Sequence, residues 1–126
     1  MPDVLLDSHA VLWYLVDDPR LSPTARQAID DDENAVFVSA VTFYELIFKA
    51  ARQRRATSVL RLPVAVEQTG FETLTPGPST WRAAAETDWS HADPFDRLLL
   101  AQAAEYDLGL VSADEIFDDV SKRRIW

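Results

Sequence analysis

The 126-residue chain contains no cysteine and only two histidines, His9 and His91. Disulfides and thiolate zinc sites are therefore excluded, and two histidines are too few for a multi-histidine metal centre. No apolar run approaches the roughly 20 residues needed to span a bilayer. The first residues lack the basic segment, apolar stretch and small cleavage residues of a secretory leader, so a cytoplasmic protein is expected. Positive charge is also scarce, with 12 lysines and arginines against 21 acidic residues and a net charge of −9. Such a chain repels phosphates at long range, which argues against casual nucleic-acid binding. Any activity on nucleic acid then needs bound cations and a local basic strip. Lys49, Arg52, Arg54, Arg55 and Arg61 form one candidate strip, and Lys122-Arg123-Arg124 a weaker one. Solvated helix surface is the simpler reading of each.

What is present is an ordinary globular composition, 48% hydrophobic and 26% charged, in a length that suits one domain over residues 1–126. Val4 to Leu6 reads as a short buried strand, followed by a helix from Ala10 to Val16. Ser22-Pro23 starts a helix that runs to about Asp31. Ala35 to Ser39 is a second strand, and Ser39 caps a helix reaching about Arg55. A short helix from Pro63 to Gln68 ends at Gly70, before a third strand from Phe71 to Leu74. A helix near Thr80 to Glu86 follows, and Asp93-Pro94 opens a strongly apolar helix to about Tyr106. Gly109 ends that region, and Leu110-Val111 forms a fourth strand. Alternating helices and short apolar strands predict a parallel sheet covered on both faces, with its site at the carboxyl ends of the strands.

Four carboxylates stand where apolar segments break off: Asp7, Glu45, Asp96 and Asp114. Each has a simpler explanation. Asp7 and Asp114 follow strands and suit helix caps, and Asp96 lies in a first helical turn that Asp93 would cap. Glu45 could form an i,i+4 pair with Lys49, although Phe43, Tyr44, Leu46, Ile47 and Phe48 leave little of that turn to face water. Taken together, four acids from four elements could meet at one sheet edge. Oxygen ligands without histidine or cysteine favour Mg²⁺ or Mn²⁺ over zinc. Two such ions about 4 Å apart can activate water and stabilise a leaving oxygen in phosphodiester hydrolysis, and one ion can do both less completely.

Four stretches carry a family resemblance: Leu5 to Ala10, Val38 to Glu45, His91 to Ala103, and Leu110 to Asp114. In order and content they resemble the PIN-domain ribonucleases, and within them the VapC-type toxins of bacterial toxin–antitoxin pairs. His91 to Ala103 is the most specific of the four. The resemblance implies a three-layer α/β/α fold with a central, mostly parallel five-stranded sheet, including a further short strand near the C-terminus. It implies a metal centre of Asp7, Glu45, Asp96 and Asp114 holding one or two Mg²⁺ or Mn²⁺ ions. It also implies an RNA substrate, a cognate VapB-type antitoxin, and a homodimer. Ser112 stands where the family often has threonine and keeps the hydroxyl. Asp93 fits a cap better than an outer-sphere ligand, while Arg97 and His9 are candidates for contact with phosphate or substrate.

Three other readings use the same residues. A haloacid-dehalogenase-type phosphohydrolase needs a second aspartate two residues after Asp7, where His9 stands. A phosphoacceptor receiver domain needs an acidic pair at the first strand and a lysine near Ser112. A non-catalytic PIN-like binding module would retain the acids only as caps.

Overall fold

The computed structural model describes residues 2–52 and 61–126. Arg54, Arg55 and the expected helix end at Arg55 lie outside these residues. Val4–Leu6 forms β1, and its three residues are fully buried at the centre of the sheet. Around it lie β2 (Val36–Ser39), β3 (Glu72–Leu74), β4 (Gly109–Val111) and β5 (Arg124–Ile125), in the order β3-β2-β1-β4-β5. Every pairing is parallel, with Leu5 opposite Phe37 on one side and Leu110 on the other. The sheet is thus wholly parallel, where a mostly parallel one was expected.

Strand side chains alternate between two cores, as the two-residue pleat requires. Val4, Leu6, Val36, Val38 and Val111 face one core, covered by α1 (Ser8–Leu15), α2 (Pro23–Asp30), α3 (Ala40–Arg52) and α4 (Leu62–Gln68). Leu5 and Leu110 face the other, with Leu99, Leu100 and Ala103 of α6 (Pro94–Glu105). The helix α5 (Pro78–Glu86) packs on α6. Six α-helices and five strands among the described residues therefore make the three layers. None of these helices is long and apolar enough to cross a membrane.

Local chemistry sets most helix ends. Ser22 Oγ accepts from Ala25 N at 3.0 Å with Pro23 at the first helical position of α2. Gly70, at φ 84°, follows α4 in the left-handed conformation expected of a terminating glycine. One expectation is corrected: Gly109 does not end α6. Asp107 does, at φ 53°, with Leu108 N donating to Ala103 O at 2.8 Å across the last turn. Gly109 is the first residue of β4, and a Cβ there would lie 2.5 Å from Ile125 Cδ1. The small residue lets β5 close onto β4.

From β1 the chain steps through β2 to β3, then crosses to β4 and β5 on the other side of β1. The switch point between β1 and β4 opens a crevice at their carboxyl ends, the usual place for a site in such sheets. Leu110, fully buried in β4, is central to the second core. Leu110→Ala is expected to lower stability by about 2–5 kcal/mol in urea denaturation, the range for an uncollapsed core cavity.

Candidate metal centre

Asp7 leaves β1 and immediately caps α1, its Oδ1 accepting from Ala10 N at 2.8 Å. The side chain is 8% exposed, and the Ser112 hydroxyl from the end of β4 is a further hydrogen-bond partner. Ser112, itself fully buried, also accepts from Asp114 N at 3.0 Å. Asp114 in turn caps the 3-10 turn Glu115–Asp119 through Ile116 N. The capping readings of Asp7 and Asp114 are thus correct. They do not compete with a site role, since each reported cap bond uses one carboxylate oxygen, Oδ1.

Glu45 is buried, but not because its neighbours are apolar: Tyr44 and Phe48 are 61% and 43% exposed. It lies on the inward stripe Thr42, Glu45, Leu46 and Ala50 of α3, at helical spacing. The pair with Lys49 also exists, with Nζ donating to Glu45 Oε2 at 2.9 Å. Its lysine end is exposed and its glutamate end is not.

In α6, Asp93 is the cap, its Oδ1 accepting from Phe95 N at 2.8 Å and Asp96 N at 3.1 Å. Asp96 lies in the first turn, where His91 Nε2 donates to its Oδ2 at 2.7 Å. His91 heads the most specific matched stretch, but its bond to Asp96 carries no sequence signal of its own. One residue, Ala92, and the cap Asp93 separate it from the helix.

Asp7, Glu45, Lys49, Asp93, Asp96 and Asp114 all line one cleft of about 310 Å³ at the switch point. Five carboxylates there face one lysine. Burial pushes the Asp7 and Asp96 carboxyls above the usual carboxylate range, and the Glu45 charge adds to both shifts. The hydrogen bond to Glu45 holds the Lys49 ammonium above its ordinary value, so it stays charged. Such an excess of half-dry, all-oxygen negative charge fits a hard divalent cation, which Asp7, Glu45, Asp96 and Asp114 would hold. The four acids border the cleft loosely. Among the described residues, the one group of three with ligand atoms within 4.8 Å of one another is His91, Asp93 and Asp96. Like-charge repulsion and the pull of Lys49 on Glu45 favour that spread. The tighter trio is already internally bonded through His91 and the capping oxygen of Asp93, so it supports Asp96 and is not itself the preferred cage.

His9 is exposed at the rim of the cleft and stacks on Trp13 at 5.3 Å, a position open to substrate. Arg97 is not in such a position, which corrects the expectation of phosphate contact. Its five N–H groups donate to the carbonyls of Ala84, Ala85, Thr87, Trp89 and His91, and none is left for a ligand. Two arginines of the C-terminal basic strip are likewise engaged, Arg123 with Asp107 and Arg124 with Asp118. Grooves of about 540 and 510 Å³ lie elsewhere on the surface, but neither gathers more than one carboxylate.

A parallel α/β sheet with carboxylates gathered at its switch point defines the class as an α/β domain with an acidic site. Residues 4–123 match the PIN domain family, and the chain belongs to that family. It is 36% identical over 118 residues to Ribonuclease VapC22 of Mycobacterium tuberculosis, covering 90% of this chain and 88% of that protein. Its fold is similar to VapBC2 from Rickettsia felis bound to a DNA fragment from their promoter. That match has a TM-score of 0.70 and 11% identity, over 93% of this chain and 92% of that one. It is also similar to a toxin–antitoxin complex from Klebsiella pneumoniae, at TM-score 0.71 and 16% identity over 98% and 97% of the two chains.

A raised carboxyl pKa means that the folded state resists ionisation. The associated stability is complete below the ordinary carboxylate value and lost as pH rises through the folded one. Asp7→Asn keeps the Oδ1 acceptor for Ala10 N and removes the buried charge. In metal-free protein near neutral pH it is expected to raise Tm by a few degrees, the scale of about 1 kcal/mol. The gain should vanish as pH approaches about 4, when calorimetric scans of the two proteins should converge.

Proposed function

We propose that this protein is a metal-dependent endoribonuclease and the toxin of a toxin–antitoxin pair, with residues 1–126 acting as one PIN domain. The observation that carries this reading is the convergence of Asp7, Glu45, Asp96 and Asp114 on one cleft at the β1–β4 switch point. The relative named as a ribonuclease supports the reaction class. One or two Mg²⁺ or Mn²⁺ ions bound by these acids would supply an activated water and a stabilised leaving oxygen. The remaining chemistry belongs to the chain itself. Ser112 and Ala10 N fix the Asp7 carboxylate, and His91 fixes Asp96. Lys49 offsets charge at the cleft wall through its pair with Glu45, and His9 offers a ring nitrogen at the rim. No side chain serves as nucleophile.

Charge complementarity supports the partner as well. A VapB-type antitoxin presenting an arginine to the acidic cleft would form strong bidentate pairs with its carboxylates. Homodimerisation would cover exposed aromatics such as Tyr44 and Phe48 on α3 and Trp81 on α5. The cytoplasm is where substrate and antitoxin are both available. A non-catalytic binding module is the rival class, but capping does not account for Glu45, which is 5% exposed and caps nothing.

Purified protein should cleave RNA in Mg²⁺ or Mn²⁺ and fall silent in EDTA. Asp7→Asn, Glu45→Gln and Asp96→Asn should each reduce the cleavage rate on the order of 100- to 1,000-fold, the scale of losing a charge-stabilising group. Full cleavage in EDTA, or undiminished cleavage by both Asp7→Asn and Asp96→Asn, would sink the mechanism.

A further inference from the structure

We propose that His91 is a positioning residue for Asp96, and that Arg97 holds His91 in place. The inference rests on the reading of Asp96 as a metal ligand. Asp96 lines the cleft and His91 does not; the bond from His91 Nε2 occupies Oδ2, while Oδ1 makes no hydrogen bond among the described residues. Both side chains are 23% exposed, dry enough for a 2.7 Å charge-assisted bond to hold a rotamer.

The segment between α5 and α6 that carries His91 has no regular secondary structure, and nothing in its backbone would fix the imidazole. Arg97 supplies the order. From the residue after Asp96, its guanidinium gathers carbonyls at the end of α5 and at Thr87, Trp89 and His91. Trp89 adds an apolar anchor, buried against Phe117 at 5.7 Å, with its ring 4.9 Å from that of His91. The planar five-donor fork is needed, since a lysine offers three donors from one point. Asp96 and the arginine that seats its partner are therefore adjacent on one helix turn, and helix and segment are held in register.

The alternative is that His91 is itself a ligand in the His91–Asp93–Asp96 trio. Calorimetric titration of the full chain with Mn²⁺ separates the two. His91→Phe keeps the ring beside Trp89 but cannot donate, and His91→Ala removes both. Each is expected to weaken Mn²⁺ binding about 10- to 100-fold, the usual effect of losing a ligand's hydrogen-bond partner. Metal-free Tm of His91→Phe should stay near wild type, and kcat on RNA should fall while KM holds. His91→Gln places an amide N–H where Nε2 was and should recover most of the affinity. Arg97→Lys should weaken Mn²⁺ binding in the same direction, with little further loss in combination with His91→Phe. Wild-type Mn²⁺ affinity in His91→Phe, or no recovery in folded His91→Gln, overturns the inference and leaves the nuclease reading intact. A wild-type protein that neither binds Mn²⁺ nor cleaves RNA overturns both.

Discussion

Burying a carboxylate without a counterion is costly, and the Asp7 side chain is almost wholly buried where β1 ends and α1 begins. The strand before it is the central one, so the residue cannot move toward water without disturbing the middle of the sheet. Its partners are the ones that make this position tolerable: the first-turn amide of α1 and the Ser112 hydroxyl delivered by β4. Glu45 and Asp96 arrive from α3 and α6 and worsen the crowding. The domain therefore concentrates like charge at its switch point and, among the described residues, leaves Lys49 as the only lysine or arginine lining it. A site with this electrostatic deficit is prepared for a hard cation, at the expense of stability without one.

The support around Asp96 follows the same logic in a different material. Apolar packing can hold α6 against the sheet through Leu99, Leu100 and Ala103, but it cannot orient a carboxylate. That takes directional bonds, and these come from an irregular segment made rigid by a single guanidinium. Arg97 is expensive to immobilise and would be free to bind phosphate if it were exposed. Its five carbonyl contacts instead make it part of the frame. Among the described residues, α3 keeps its positive charge at the surface, with Lys49 lining the cleft and Arg52 over the Phe48 ring at 5.6 Å.

Much of this was legible in the sequence because its signals are local. Short β-branched and aliphatic runs bounded by Asp and Ser define the strands, and Ser22-Pro23 and Asp93-Pro94 announce helix starts through a cap and a fixed φ. Gly109 misled for an equally local reason. A glycine after a helix suggests a terminator, but Asp107 adopted the left-handed turn, and the glycine instead makes room for the Ile125 side chain across the sheet. Glu45 was read as buried from its apolar neighbours, whereas its burial follows from the face of α3 on which it lies. The net charge argued against casual nucleic-acid binding but could not show that Arg123 and Arg124 are spent on Asp107 and Asp118.

The sequence by itself determined the alternation of elements, the acids available, the absence of cysteine and of a multi-histidine ligand set, and the family resemblance. Each of these follows from residue type and near-neighbour spacing. Only the tertiary structure decided which oxygens remain free, that Arg97 is frame and not substrate contact, and that His91 addresses Asp96. Those outcomes depend on which groups the sheet order and helix packing bring within a hydrogen bond of each other. Arg97 reaches back as far as Ala84 and Ser112 meets Asp7 across two strands, separations that no local pattern encodes.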